Sequence, residues 1–417
     1  MSSYLAAGPL FTSRILCDAV PMSMRDALLL IAGALVGTLF SAWYETGISW
    51  YKKLLASRRV KKREALGEAG FISERLISHY MITGRTDSLY TPTKIEPFTR
   101  IPLLHGREIS FPIPIDSQSD SIFILSSEKL ELPFNPSLLK REVRRGARIF
   151  EGEILHLEGM RITPHGTPEF TFSRCNYSAY ATLTLTLRKE IYSRFSRRRI
   201  LNKYLLSFSD SISGGFAPQA MGCSCVSLFR DQAGKLHIAI AKRSTEVLNG
   251  HNRRGVVPNF GAEAHTLARR RSKYSLILYN YLKEFVEEFY DLEEVVASAS
   301  ARRADPDWVF HLPESFSLVN QVNSGKVQLT CLGMAVNPVD GALNFAISAE
   351  FSSSEFFENL RYSVKSNWEF DSRLPGSSPI EFIELGSDLI DQWANRGEID
   401  PVSLFAIDLA RARFEGS

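Results

Sequence analysis

The run at residues 283–288, KEFVEE, carries three glutamates at a spacing that suits the binding of a divalent cation. Its carboxylates Glu284, Glu287 and Glu288 are spaced i, i+3 and i+4, which places them on one face of an α-helix. Carboxylate oxygens are suitable ligands for Mg²⁺, and a Mg²⁺ ion held there could bind a diphosphate. The run therefore predicts a metal site formed by the three glutamates.

An ordinary amphipathic surface helix is the alternative interpretation of the same run. Its polar stripe would carry the glutamates and Asp291, and its opposite stripe would be apolar. The apolar stripe consists of Leu278, Leu282, Phe285, Val286 and Phe289. Because the helical spacing fits both interpretations, the elements that precede the helix decide between them.

A hairpin and a loop with a Pro-x-x-Gly sequence come before the acidic helix. Alternating apolar and polar residues predict the two strands of the hairpin, and Pro258 and Gly261 mark the loop. Two more alternating segments after the helix predict later strands. The predicted segments are strands at 221–230 and 236–243, a turn at 231–234, a loop at 256–261, and strands at 329–334 and 343–349.

This order of elements, with KEFVEE as a variant of the pattern REUxEE in which U is a bulky apolar residue, resembles the Nudix domain. The resemblance implies a Nudix-like α/β/α domain over residues 206–417 that binds a nucleotide, with Mg²⁺ as the one candidate cofactor. If the chain is a hydrolase, the resemblance implies Glu287 and Glu288 as its catalytic residues. It also implies that basic residues near the Pro-x-x-Gly loop contact the phosphates of the ligand. For His251 a structural role is the alternative. The candidate ligand-binding residues are Arg243, His251, Arg253 and Arg254.

The chain departs from the Nudix pattern at three places. Gly261 and Glu263 lie too far upstream of the helix, because a basic stretch is inserted after them. Lys283 replaces the family's arginine, and a lysine cannot reproduce the bidentate pairing of a guanidinium with carboxylates. Tyr290 replaces the glycine that ends the family's helix, so we expect the helix to continue to about Val296. These departures predict weak hydrolysis and leave metal binding by the glutamates in place.

The N-terminal part of the chain contains an apolar segment at residues 27–44, which has no charged residue. As a helix it would span roughly 27 Å, close to the ~30 Å of a bilayer's hydrocarbon core, so it predicts a single transmembrane helix. A signal peptide is the alternative. The basic residues at 58–63 place residues 1–26 outside and the remaining chain in the cytoplasm. Met22 and Met24 precede the segment, so a later start stays open.

Gly33, Gly37 and Ser41 recur at every fourth residue of this predicted helix. A face of small residues lets two helices approach closely, which predicts self-association into a homo-oligomer. The alternative is that glycine is simply common in transmembrane helices.

Two further regions lie between the apolar segment and the Nudix-like domain. Residues 45–85 predict a basic juxtamembrane segment with a short helix, and residues 86–205 predict a β-rich extension. The expected fold class is therefore α+β, with a transmembrane helix, a β-rich extension and a Nudix-like domain. The alternating runs that predict strands in the extension lie at 108–115, 121–125, 147–157 and 182–187.

The composition excludes several other classes of protein. The chain has 417 residues, of which 44% are hydrophobic, so it is long enough for two or three domains with their own cores. A net charge of +3 gives no reason to expect a nucleic-acid polymer as a partner. The five cysteines form no pairs with zinc-ligand spacing, which argues against a structural zinc and predicts reduced thiols.

The whole architecture resembles the TM-NUDIX proteins of bacterial antiphage defence, which carry the SMODS-associated NUDIX domain. The resemblance covers residues 25–410 approximately. It implies a cytoplasmic domain that senses a cyclic oligonucleotide and a transmembrane part that disrupts the bacterial inner membrane in response. Two alternatives stay open. One is a membrane-tethered Nudix hydrolase that cleaves a nucleoside diphosphate derivative with Mg²⁺, and the other is a structural scaffold that binds no nucleotide.

Overall fold

The computed structural model describes most of the chain after residue 42. The described residues are 43–44, 47–48, 50–51, 69–86, 89–90, 102–106, 109–115, 120, 122–131, 134–144, 152–192, 199–205, 207–212, 220–244, 253–263, 266–267, 270–291, 307–365 and 379–414. Two compact units divide the chain, Met1–Leu55 and Ala56–Ser417. In the first unit every described residue is helical.

The predicted fold class, with its single N-terminal transmembrane helix, is wrong for the chain as described. The structure is mixed α/β, and in its described part no helix is both long and apolar enough to cross a membrane. One of the longer described helices, Leu276–Tyr290, shows why. It has only 15 residues, which would span about 22 Å, and these include a lysine and three glutamates. Most of the predicted segment 27–44, with Gly33, Gly37 and Ser41, lies outside the described residues.

The second unit alternates helices and strands. Its described helices are α1 (Ala69–Thr83), α2 (Pro136–Arg144), α3 (Tyr177–Tyr192), α4 (Arg199–Tyr204), α5 (Phe208–Ile212), α6 (Leu276–Tyr290), α7 (Phe316–Asn323), α8 (Ser354–Ser363), α9 (Asp388–Asn395) and α10 (Pro401–Phe414). Two short 3-10 helices span Trp308–His311 and Pro313–Ser315. The described strands are β1 (Leu89–Tyr90), β2 (Leu103–His105), β3 (Ile113–Ile115), β4 (Phe123–Lys129), β5 (Glu153–Ile162), β6 (Pro168–Asn176), β7 (Met221–Arg230), β8 (Leu236–Lys242), β9 (Arg254–Val256), β10 (Asn259–Gly261), β11 (Thr266–Leu267), β12 (Arg270–Arg271), β13 (Val327–Val336), β14 (Leu343–Phe351) and β15 (Ile380–Glu384).

The central sheet has the strand order β1-β2-β13-β14-β7-β8-β15, and β3, β10 and β9 pair with β13, β7 and β8 beside that path. Strand β7 runs parallel to β14, whereas the pairs β13–β14, β7–β8 and β8–β15 are antiparallel. Strands β7 and β14 are buried along nearly their whole length, as expected of strands covered on both faces. The four strands predicted around the acidic helix are confirmed as β7, β8, β13 and β14.

Each face of this sheet has its own hydrophobic core. Cys223 and Cys225 of β7 belong to the core that contains the apolar side of α6. Val226 and Leu228 point to the opposite face, where they pack with Trp393 of α9 and with α10. The alternation of side chains along a strand produces this division. Helices therefore lie on both faces of the sheet.

The run at residues 182–187 is helical, and its predicted strand is wrong. It lies within α3, where the Thr182 hydroxyl donates to the carbonyl of Ala179 and the Thr186 hydroxyl donates to the carbonyl of Thr182, both at 2.8 Å. Threonine can satisfy its hydroxyl inside a helix in this way. The alternation of Thr and Leu therefore did not determine the secondary structure.

The sheet β4-β6-β5 packs on the central sheet through aromatic side chains. The ring centroids of Phe123 and Phe170 each lie 5.2 Å from that of Phe345 in β14, and that of Phe172 lies 6.4 Å away. Strand β5 also forms a single bridge to Ala220, just before β7. The β-rich region and the central sheet therefore share one hydrophobic core.

Gly333 lies at a bulge in β13 that α10 approaches closely. A Cβ atom there would lie 2.6 Å from Leu409 Cδ1 and 3.3 Å from Phe405 Cζ. We expect Gly333→Ala to lower the free energy of unfolding by about 1–3 kcal/mol in urea denaturation, because the added methyl group overpacks this contact. Gly159→Ala is the control, since a Cβ at that bulge of β5 meets no atom within 4 Å. Equal losses in the two variants would contradict the overpacking explanation.

Candidate functional site

Helix α6, which carries the acidic run, begins after Ser275 and ends at Tyr290. Asp291 follows in a left-handed conformation with a φ of 52°. Aspartate tolerates this conformation better than most residues other than glycine. The helix therefore stops one residue before Asp291, and the prediction that it continues to about Val296 is wrong.

Both the apolar and the charged sides of α6 are buried. Phe285 and Val286 have no exposed surface, while Lys283, Glu287 and Glu288 are only 7%, 8% and 4% exposed. Charged side chains are rarely buried to this extent unless they are paired. The alternative of a solvated amphipathic surface helix therefore does not fit the structure.

Lys283 lies among three carboxylates. Its Nζ is 3.3 Å from an oxygen of Glu287, 3.6 Å from one of Glu284 and 3.7 Å from one of Glu263. Burial alone would lower the pKa of Lys283, but the nearby carboxylates outweigh it and hold that pKa well above its usual value. The lysine therefore stays charged at neutral pH.

Glu263 contacts Lys283 of the helix although it lies farther upstream in the sequence than the Nudix pattern places its glutamate. The residues between Glu263 and α6 include β11 and β12, which pair antiparallel as a small hairpin. The hairpin takes up the inserted residues and returns the chain to the helix. Gly261 remains in β10, where it pairs with Gly222 of β7.

Asn280 fixes the position of Glu263 and was not identified from the sequence. Its Oδ1 accepts from the Glu263 amide at 2.9 Å, and its Nδ2 donates to the Glu263 carbonyl at 2.8 Å and to the Leu276 carbonyl at 2.9 Å. The side chain has no exposed surface. Its position three residues before Lys283, on the same side of the helix, was the signal that could have identified it.

We expect Asn280→Ala to lower the free energy of unfolding by about 1–3 kcal/mol, because it leaves the buried backbone groups of Glu263 without their partners. Urea denaturation measures the change. Asn320→Ala serves as the control, since Asn320 is exposed on α7. A loss in Asn280→Ala no greater than in the control would contradict the anchoring role of Asn280.

The cysteines beside α6 are buried thiols. Burial raises the pKa of Cys223 well above its usual value, with further contributions from Cys331 and Glu284. Burial also raises the pKa of Cys225, and Cys223 and Glu288 add to the effect. Such thiols are neutral and poor nucleophiles. The described cysteines form no disulfide, in line with the predicted reduced thiols.

Four carboxylates lie on this part of the structure. Glu263, Glu284 and Glu287 surround the ammonium group of Lys283, and Glu288 is buried on the same helix as Lys283. Carboxylate oxygens suit Mg²⁺. Within the described residues, however, no three His, Cys, Asp or Glu side chains are grouped closely enough to hold a metal ion. The donor atoms fit Mg²⁺ chemically, but Glu284 and Glu287 would have to turn from Lys283 towards the cation.

Arg254, one of the predicted phosphate-binding residues, lies apart from this cluster. The guanidinium of Arg254 stacks 4.1 Å from the ring centroid of Trp393, on the face of the sheet opposite α6. It also pairs with Glu398 at 3.1 Å and with Glu381 at 3.7 Å. Arg243 and Arg253 are joined by a backbone hydrogen bond of 2.9 Å, and His251 lies outside the described residues. The structure therefore does not bring Arg254 together with the glutamates of α6.

Comparison with protein-family models found no match for this chain, and comparison with curated protein sequences found no match either. Lys283, the three glutamates that contact it and the buried Glu288 together form the acidic site.

Proposed function

We propose that the region around α6 binds a nucleotide through Mg²⁺, and that the chain senses a nucleotide second messenger such as a cyclic oligonucleotide. The burial of Lys283 among three carboxylates is the observation that supports this proposal most. Burying charges costs free energy that apolar side chains of similar volume would not cost. A cluster of buried charges next to a sheet is therefore more typical of a site than of a structural helix.

The residues around α6 would have separate roles in binding the nucleotide. Bound Mg²⁺ would supply positive charge against the phosphates of the nucleotide. Glu284, Glu287 and Glu288 would hold the cation, as their spacing on α6 suggests. Lys283 would limit the repulsion among the carboxylates when no cation is bound. Asn280 would keep Glu263 beside the lysine.

Sensing is favoured over rapid hydrolysis because of the contacts of Lys283. Its ammonium group engages Glu284 and Glu287, whereas a general base must reach the water molecule that it deprotonates. A sensor needs a site for the nucleotide but no fast turnover. Slow or absent cleavage therefore agrees with the proposal.

A Mg²⁺-dependent hydrolase of nucleoside diphosphate derivatives is the second candidate. It is favoured by the pair Glu287 and Glu288, which occupies the positions of the catalytic carboxylates in the REUxEE pattern. In this case one of the two glutamates would act as the base once it is released from its contacts.

Titrating the purified chain with cyclic di- and trinucleotides, with and without Mg²⁺, tests the proposal. We expect saturable, Mg²⁺-dependent binding of at least one nucleotide, a change in oligomer size on binding, and little turnover. Absence of binding for every nucleotide would contradict sensing and support the scaffold alternative. Rapid turnover that disappears in Glu287→Gln or Glu288→Gln, but not in the exposed control Glu314→Gln, would identify the hydrolase instead.

A further inference from the structure

A continuous set of hydrogen bonds connects the β-rich region to the acidic site on α6. It begins at Asp120, whose carboxylate accepts a hydrogen bond from the backbone amide of Leu276, the first residue of α6. Asp120 is itself fixed to β4, because its carbonyl accepts from the amide of Phe123 at 3.2 Å. A carboxylate at this position stabilises a helix by satisfying a free amide and by opposing the positive end of the helix dipole.

The connection continues along the first turn of the helix. The carbonyl of Leu276 accepts from Asn280 Nδ2 at 2.9 Å. Asn280 then makes two hydrogen bonds to the backbone of Glu263, and the carboxylate of Glu263 lies 3.7 Å from Lys283 Nζ. Each contact joins the next, so a shift of the first turn of α6 would displace Glu263 relative to Lys283.

The same β-rich region also contacts the segment that carries Glu263. The amide of Leu155 in β5 donates to the carbonyl of Ala262 at 3.1 Å. Strands β4 and β5 both pair with β6, so the residues that hold Asp120 and Ala262 belong to one sheet. That sheet therefore contacts both parts of the acidic site, namely the start of α6 and the segment with Glu263.

We propose that Asp120 is a positioning residue for the acidic site, through which the β-rich region sets the geometry of the glutamates on α6. The proposal rests on the proposed function, because its readout is the affinity of this site for Mg²⁺. Asp120 lies outside the Nudix-like part of the sequence. The coupling runs from the carboxylate of Asp120 through Leu276 and Asn280 to Glu263.

Mg²⁺ titration of variants of the full chain tests this proposal. We expect Asp120→Ala to weaken Mg²⁺ binding about five-fold, and Asp120→Asn to keep it within about two-fold, because the asparagine oxygen can still accept from the Leu276 amide. The double variant Asp120→Ala/Asn280→Ala should bind no more weakly than Asn280→Ala alone, because both changes interrupt the same connection. Ser353→Ala is the matched control. It removes a side-chain cap from α8 and should lower Tm without changing the affinity for Mg²⁺.

Three results would overturn the positioning role. These are unchanged affinity in Asp120→Ala, equal weakening in Ser353→Ala, and additive losses in the double variant. If the wild-type chain binds no Mg²⁺, the proposed function fails first. Hydrogen exchange of the metal-free chain then decides the positioning role alone. Faster exchange of the Asn280 and Lys283 amides in Asp120→Ala than in Asp120→Asn supports it, and equal exchange overturns it.

Discussion

Replacing Lys283 with methionine is expected to lower the free energy of unfolding by about 3–5 kcal/mol, because the variant removes one partner of a buried ion pair. In this variant Glu263, Glu284 and Glu287 would face one another without the ammonium group that now lies within 3.7 Å of each. The length of the methionine side chain keeps the buried volume similar. The loss would therefore reflect charge more than packing.

The dependence of this loss on pH follows from the raised pKa of Lys283. A basic group whose pKa is higher in the folded chain stabilises it fully below its unfolded pKa, and the contribution disappears only as pH rises through the folded pKa. The folded pKa lies above the ordinary lysine value of about 10.4. We therefore expect the difference between wild type and Lys283→Met to be constant from roughly pH 6 to pH 9.

Urea denaturation measures the loss, with Lys326→Met as the control because Lys326 is exposed. The control should change the free energy of unfolding by less than about 0.5 kcal/mol. A second variant, Lys283→Met/Glu287→Gln, should recover part of the loss because it removes one of the facing charges. A loss in Lys283→Met as small as that in the control would show that the lysine does not compensate the carboxylates.

Phe285→Ala is expected to cost about 3–5 kcal/mol of unfolding free energy, the usual range for deleting a buried phenylalanine side chain. The ring of Phe285 stacks on that of Phe289, with centroids 4.1 Å apart and an interplanar angle of 12°. It also lies 5.7 Å from the ring of Phe351 in β14. The substitution would leave a cavity between α6 and the central sheet.

The measurement is again urea denaturation, here with Phe316→Ala as the matched control. Phe316 begins α7 and is 53% exposed, so its truncation leaves no buried cavity. We expect the control to lose less than about 1 kcal/mol. Similar losses in the two variants would contradict the packing of α6 against the sheet.

The elements around the acidic site were predictable from the sequence because their signals are local. The alternation of residues 221–230 and 236–243 predicted β7 and β8, and the apolar spacing around Phe285 predicted α6. Local patterns failed where other contacts decided the structure. Thr182 and Thr186 satisfy their hydroxyls within a helix, and Asp291 ends α6 without a glycine.

The sequence predicted the glutamates of the acidic site that lie on α6, but not the residues that join them from other segments. The spacing of Glu284, Glu287 and Glu288 showed that they share a face of the helix, but not that this face is buried against other parts of the chain. Glu263 joins the site because a hairpin takes up the insertion before α6. Asp120 reaches Leu276 from a position far away in sequence. Such contacts depend on how distant segments pack, and the periodicity of the sequence does not predict them.

Calorimetry can test whether the glutamates of α6 form a Mg²⁺ site. Mg²⁺ is titrated into the wild-type chain, into Glu288→Gln and into the exposed control Glu314→Gln. We expect saturable binding by the wild type and by Glu314→Gln, and binding at least about ten-fold weaker in Glu288→Gln, because the variant loses a charged oxygen ligand. Absence of saturable binding in the wild type, or equal affinity in all three proteins, would contradict the claim that α6 carries a cation-dependent site.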